Sequence, residues 1–226
     1  MERSSPVADF WTPLDRCIGV ATGQPFISRR RQSLSGGCIN QAWRVGDGER
    51  DYFVKINVTA GLPMFEAEAA GLAELAATAT ARAPKPICCA AAAGQSWLVL
   101  EYLPLVGSSA LAMEILGRQL AALHRQPQPY FGWRCDNTIG STPQPNGRRD
   151  DWIGFWSERR LGFQLDLAAA NGYGGALQRQ GEVLRARLAQ RRLQLAGREP
   201  AFVQRLLAAD RLRLDDLQRA AAAARS

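Results

Sequence analysis

Hydrophobic patterning changes once along this chain, at Pro104, and that change restricts the fold more than any single residue does. Between residues 27 and 102 apolar side chains alternate in short runs separated by glycine turns; beyond Pro104 they recur at three- and four-residue spacing. Strands that come first and helices that follow imply an α+β fold, with the sheet segregated from a helical part.

In detail, residues 8–23 read as a short helix and turn carrying Phe10, Trp11, Leu14 and Ile18. Strands are expected at 27–35, 39–45, 51–58, 85–92 and 96–102, with turns at Gly46-Asp47-Gly48 and Gly94-Gln95. Between the third and fourth strands, residues 63–79 read as a helix opened by Pro63, with Phe65, Ala69, Leu72 and Leu75 on one face. Leu105-Val106-Gly107-Ser108-Ser109 is a connector. Residues 109–125 follow as a helix with an apolar face of Leu111, Ile115, Leu116, Leu120 and Leu123, closed by His124, which reads as a packed core residue. A Pro-, Gly-, Asn- and Thr-rich loop is expected over 127–149, and helices over 150–170 and 174–195.

Composition excludes several classes. No run of about 18 apolar residues occurs, so no membrane-spanning helix is expected, and polar Met1–Val7 opens no signal peptide, which points to the cytoplasm. The net charge is +7, but the arginines are scattered along helices rather than gathered with aromatics into one stripe, so nucleic acid is not an expected partner. Cys17, Cys38, Cys88, Cys89 and Cys135 show no metal-ligand spacing and read as reduced thiols. All but two of the 28 basic residues are arginine. A lysine kept at position 55 therefore marks a place that calls for a compact ammonium rather than a planar fork.

Three features carry chemistry. Gly36-Gly37 between two strands allows positive φ and lets backbone N–H groups approach a phosphate, although a tight hairpin turn explains the pair equally well. Lys55 on the third strand can neutralise phosphate charge, or stand as an ordinary solvated lysine. Glu68, 13 residues on and within the Phe65-x-x-Glu68-x-x-x-Leu72 pattern, can pair with Lys55; Glu66 is the competing acid. Glycine turn, strand lysine and helix glutamate in that order form the nucleotide arrangement of kinase-like enzymes, and the order is stronger than any part. Leu98–Leu103 then reads as an apolar strand ending at a hinge, where backbone groups can meet an adenine edge with Leu100 behind the base. An ordinary buried strand uses the same residues.

The chain resembles the fructosamine (ketosamine) 3-kinases, of the aminoglycoside-phosphotransferase-like and protein-kinase-like superfamily, over about residues 8–196. The matching residues are Ser35-Gly36-Gly37-Cys38-Ile39-Asn40, Phe53-Val54-Lys55-Ile56-Asn57, Met64–Glu68, Leu100–Leu103, Leu120–His124, Tyr130-Phe131-Gly132, Asp136–Asn146, Trp152–Trp156 and Arg159-Arg160-Leu161. Most particular to the family is Asp136-Asn137-x-Ile139-Gly140-x-Thr142-Pro143-Gln144-x-Asn146. The resemblance implies a five-stranded antiparallel N-lobe sheet with one helix over residues 1–103 and a hinge at 104–108. A partial helical C-lobe would cover 109–200, followed by a non-family Ala- and Arg-rich tail at 201–226. It implies ATP-dependent phosphorylation of the 3-hydroxyl of a ketosamine, free or on a glycated protein, with Mg2+. Gly36, Gly37, Cys38, Ile39 and Asn40 would cover the nucleotide, Lys55 would contact its phosphates with Glu68 orienting it, and Glu101 with Leu103 would offer backbone to adenine. Some family members use a cysteine at the place of Cys38 redox-sensitively; an inert small side chain is the simpler reading.

The family pattern continues into His-Gly-Asp-Leu-Trp-Ser-Gly-Asn and Asp-Pro-Ala, which supply the base and the metal ligands. This sequence has neither, and Asp215-Asp216 lack the His-Gly that would make them a substitute. No catalytic residue and no metal ligand is therefore assigned. The expectation is a truncated member, inactive alone, whose helices over 109–195 expose apolar faces. An ATP-binding pseudokinase-like module and a frameshifted fragment without activity stand beside it.

Overall fold

Residues 9–35, 39–107 and 109–195 are described by a computed structural model. They fall into two compact units, one of the chain up to Pro129 with Trp133–Gly147, the other of Tyr130–Gly132 with the chain from Arg148.

The first unit is built on a five-stranded antiparallel sheet. Helix α1 (Trp11–Thr22) precedes strands β1 (Arg30–Leu34), β2 (Gln41–Gly46) and β3 (Asp51–Val58). A 3-10 turn (Thr59–Gly61) leads into α2 (Leu62–Ala77), and β4 (Pro86–Ala92) and β5 (Gln95–Glu101) complete the sheet in the order β1-β2-β3-β5-β4. Side-chain parity sorts the core onto two faces. Tyr52, Val54 and Ile56 of β3, with Trp97 and Val99 of β5, join Leu14 and Ile18 of α1 in one buried cluster. Leu98 and Leu100 point the other way and enclose Phe65 of α2, with Phe53 and Leu72 packed against them. Every residue from Ser96 to Leu100 is buried, which is why this segment reads as a continuous apolar run rather than an alternation.

Local chemistry sets the turns. Ala93 and Gly94 both have positive φ (53° and 79°), and Ala92 pairs with Gln95, so β4 and β5 are joined by a two-residue turn of the type that matches strand twist. Between β2 and β3, the Asp47 carboxylate accepts from the backbone N–H groups of Glu49 (3.0 Å) and Arg50 (2.8 Å). Those bonds, with the ion pair to Arg50, hold the Asp47 carboxyl down at about 2. Near the N-terminus, buried Asp15 of α1 accepts from both the backbone N–H and the hydroxyl of Ser28, each at 3.0 Å, anchoring the helix to the chain entering β1.

Two expectations are corrected in this unit. The segment expected as a loop over 127–149 contains a hairpin, β6 (Asn137–Ile139) paired with β7 (Thr142–Gln144), whose turn residue Gly140 has φ +63°. Helix α3 (Ala110–His124) lies within the expected 109–125, and the Ser109 hydroxyl accepts from Ala112 N–H to cap it; none of its residues is buried, in keeping with the exposed apolar faces expected of this stretch. Leu111 is 65% exposed and Ile115 45%. His124 is exposed as well, not packed in a core. Helical spacing shows that a face can be buried; it does not supply the partner that buries it.

The second unit is helical. Asp151 caps α4 (Trp152–Phe155) by accepting from Gly154 N–H at 2.7 Å. A π-helical segment (Trp156–Gly162), α5 (Phe163–Ala170) and α6 (Ala176–Leu195) follow. The continuous helix expected over 150–170 is thus interrupted by a wide turn. Two glycines let α6 approach its neighbours: a Cβ on Gly162 would lie 3.4 Å from the guanidinium carbon of Arg185 on α6, and one on Gly181 of α6 would lie 2.5 Å from Leu165 of α5. Arg149, paired with Phe131 by an isolated bridge, forms an ion pair with Glu158. No helix of the described residues is long and apolar enough to cross a membrane.

Candidate functional site

Lys55 lies in the middle of β3, between Val54 and Ile56, whose side chains enter the α1-side core. Strand parity therefore turns Lys55 to the face covered by α2. There its Nζ donates to Oε1 of Glu68 at 2.6 Å, both side chains a little under one-third exposed. Glu66, two residues earlier on the helix, is exposed to solvent. The choice between the two acids is made by Phe65: its ring, completely buried under the sheet, fixes the helix rotation so that the residue three positions on faces β3.

Magnitudes separate what holds this arrangement from what it does. Burying Phe65 is worth about 2–3 kcal/mol, whereas a half-exposed ion pair contributes about 1 kcal/mol or less after solvent screening. Helix α2 is therefore docked by its apolar face, and the Lys55–Glu68 pair is a consequence of docking that orients an ammonium. Lys85, the second lysine, is exposed.

At the sheet's entry to this face, Ile39 is about half exposed, and the Asn40 carboxamide oxygen accepts from Nδ2 of Asn57 on β3 at 2.7 Å. The loop that precedes β2 is thus tied to the same strand as Lys55. Gly36, Gly37 and Cys38 lie outside the described residues. At the far end of β5, Glu101 N–H donates to the Lys85 carbonyl at 2.8 Å, and its carboxylate accepts from Arg82 at 2.6 Å. The Arg82 guanidinium and the Lys85 backbone hold the Glu101 carboxyl below its ordinary range. The Glu101 N–H is therefore already engaged within the fold. Leu103 follows outside regular secondary structure, and Leu100 is buried beneath α2.

The structure therefore brings Lys55 and Glu68 together and places Asn40 on the same strand through Asn57. Among the described residues, no group of three or more His, Cys, Asp or Glu side chains converges to hold a metal ion, so no step is derived through Mg2+. What sequence reasoning missed is the ordered hairpin beside α2. Trp133 Nε1 donates to Glu74 of that helix at 2.7 Å, and only the density of Asp, Asn and Gly around residue 137 signalled a structured turn.

Comparison with known proteins finds relatives of the chain. The profile of the family described as Fructosamine kinase matches residues 10–205. A Synechocystis protein named Probable ketoamine kinase is 49% identical over 159 residues, 70% of this chain and 54% of its own length. The chloroplastic protein-ribulosamine 3-kinase of Arabidopsis thaliana is 41% identical over 155 residues, 67% of this chain and 47% of its own. A crystal structure from Haemophilus somnus whose name carries a fructosamine-3-kinase assignment superimposes with a TM-score of 0.72 at 26% identity, over 85% of this chain and 65% of that one. The chain spans about half the length of the curated relatives it matches.

Proposed function

The chain belongs to the fructosamine kinase family, and from that premise we propose that its sheet and α2 form the nucleotide site of a ketosamine kinase acting in the cytoplasm. In this reading residues 1–103 act as the nucleotide lobe, 104–108 as its hinge and 109–200 as part of the second lobe. ATP lies along the α2-covered face. Lys55 binds its phosphates, Glu68 keeps the ammonium aimed at them, and Gly36, Gly37, Cys38, Ile39 and Asn40 close over them. The Glu101 carbonyl and the Leu103 backbone meet the adenine edge. The reaction served is transfer of the γ-phosphoryl group to the 3-hydroxyl of a sugar joined to an amine, small or protein-linked. The observation that carries the reading is the 2.6 Å Lys55–Glu68 contact on the face opposite α1.

Phosphoryl transfer depends on a base at the hydroxyl and on charge neutralisation by a metal. The His-Gly-Asp loop that supplies them in the family is not among these 226 residues. We therefore assign ATP binding without turnover to this polypeptide by itself. Incubation with ATP, Mg2+ and a fructose-linked amine, followed by measurement of ADP release, tests the assignment. No release above the Lys55→Ala background is expected; release that requires the ketosamine and is abolished by Lys55→Ala would show that a catalytic group has been overlooked.

A further inference from the structure

The segment Trp133–Gly147 is more ordered than a connecting loop needs to be. Asn146, only 3% exposed, ties it shut. Its carbonyl accepts from Trp133 N–H at 2.9 Å, and its N–H donates to the Asp136 carboxylate at 2.7 Å. Its carboxamide donates to the Cys135 carbonyl at 3.1 Å and to the Asn137 side chain at 2.9 Å. Gln144 donates to the same Asn137 oxygen across the β6–β7 pair. These contacts give Asp136, Asn137, Gln144 and Asn146 one shared structural task.

The two ends of this rigid piece reach two different elements. At its base, the Trp133 indole donates to Glu74 and lies over Gly71, where a Cβ would sit 3.9 Å from the ring. Arg134 adds a contact to Glu74 at 3.3 Å. Gly71 and Glu74 follow Glu68 on α2 at successive three-residue steps, so the base grips the helix within about 9 Å of the residue that holds Lys55. At its tip, a Cβ on Gly140 would lie 3.3 Å from Cδ1 of Ile39, beside the turn that precedes β2.

We propose that the hairpin 133–147 is a positioning clasp that sets α2 and the Ile39 turn relative to each other and thereby aims Lys55 at a nucleotide's phosphates. The proposal rests on the nucleotide reading above. Trp133 and Glu74 act through the helix and touch no ligand, so they are positioning residues. A single rigid piece held at both elements makes their separation a property of the hairpin instead of two loosely coupled loops.

Equilibrium binding of ATP and of adenosine to the full 226-residue chain separates positioning from folding. Trp133→Ala is expected to weaken ATP about fivefold to tenfold, within the range of ordinary coupling energies, while changing adenosine less than about twofold. Glu74→Ala, at an exposed position, is expected to act in the same direction, and Glu74→Gln, which keeps an acceptor for the indole, to recover most of the loss. In a Lys55→Ala background the Trp133→Ala effect is expected to disappear. Equal losses for both ligands, or no change for ATP with either substitution, would overturn the clasp while leaving nucleotide binding intact. A wild-type chain that binds no ATP would remove the nucleotide reading and the clasp together.

Discussion

Glu68→Gln isolates the orientation of Lys55 from the stability of the helix that carries it. The carboxylate is replaced by a neutral group of the same shape, so packing around Phe65 is unchanged and only the charge opposite Lys55 is lost. Two unit charges at 4 Å interact by about 4 kcal/mol at an effective dielectric of 20, but this pair is nearly one-third exposed. Screening and side-chain entropy bring the net contribution to about 1 kcal/mol or less. For a chain of this size that corresponds to a fall of about 2–4 °C in Tm. The effect on a bound triphosphate should be larger than on the fold, because a released ammonium must be re-ordered for every binding event; a tenfold loss, or about 1.4 kcal/mol, is expected for ATP. Adenosine, which has no phosphate, should bind within about twofold of wild type, and Glu66→Gln should alter neither ligand, since Glu66 is exposed. Calorimetric titration of both nucleotides into the variants decides the matter. If Glu68→Gln weakened adenosine as much as ATP, or left ATP unchanged, Lys55 would not be a phosphate contact oriented by Glu68.

Other consequences concern stability. Ala93 sits at φ 53° ahead of Gly94, a conformation that costs a side-chain-bearing residue about 1 kcal/mol; Ala93→Asn should raise the urea midpoint, and a lowered midpoint would contradict the turn assignment. Asn146→Ala removes the side-chain donor to the Cys135 carbonyl and leaves the Asn137 oxygen with Gln144 alone, and chemical denaturation should show a loss of about 1–3 kcal/mol. The Asp47 carboxyl titrates lower in the folded protein than its ordinary 3.8. Its stabilising contribution is therefore complete above about pH 4 and is lost as pH falls toward about 2. Thermal melts of wild type and Asp47→Asn should accordingly converge across that window and differ most above it.

The sheet, its strand parity and the Lys55–Glu68 pairing were legible because each depends on a short-range pattern: period two around Lys55, a helical step from Phe65 to Glu68. The hairpin 137–144 was not. Its strands are three residues long, carry Thr138 and Pro143 instead of an apolar alternation, and are fixed by side-chain bonds converging on Asn146. The π turn at 156–162 escaped for a different reason. Trp152, Phe155, Trp156 and Leu161 fit an ordinary helix on paper, and the interruption shows only where Gly162 approaches the Ser157 carbonyl and Arg185. His124 and the face of α3 show the limit of periodicity itself. It identified the apolar stripe correctly and said nothing of whether the described residues include a partner for it. The glycine turn lies outside the described residues at Gly36, Gly37 and Cys38, so its role rests on its position in the motif order.

Calorimetric titration of ATP into the 226-residue chain and its Lys55→Ala variant tests the central claim most directly. Saturable one-to-one binding by the wild type, weakened at least about tenfold by Lys55→Ala, is the result expected of a nucleotide site organised around that lysine. Absence of ATP binding, or binding that Lys55→Ala leaves unchanged, would contradict it.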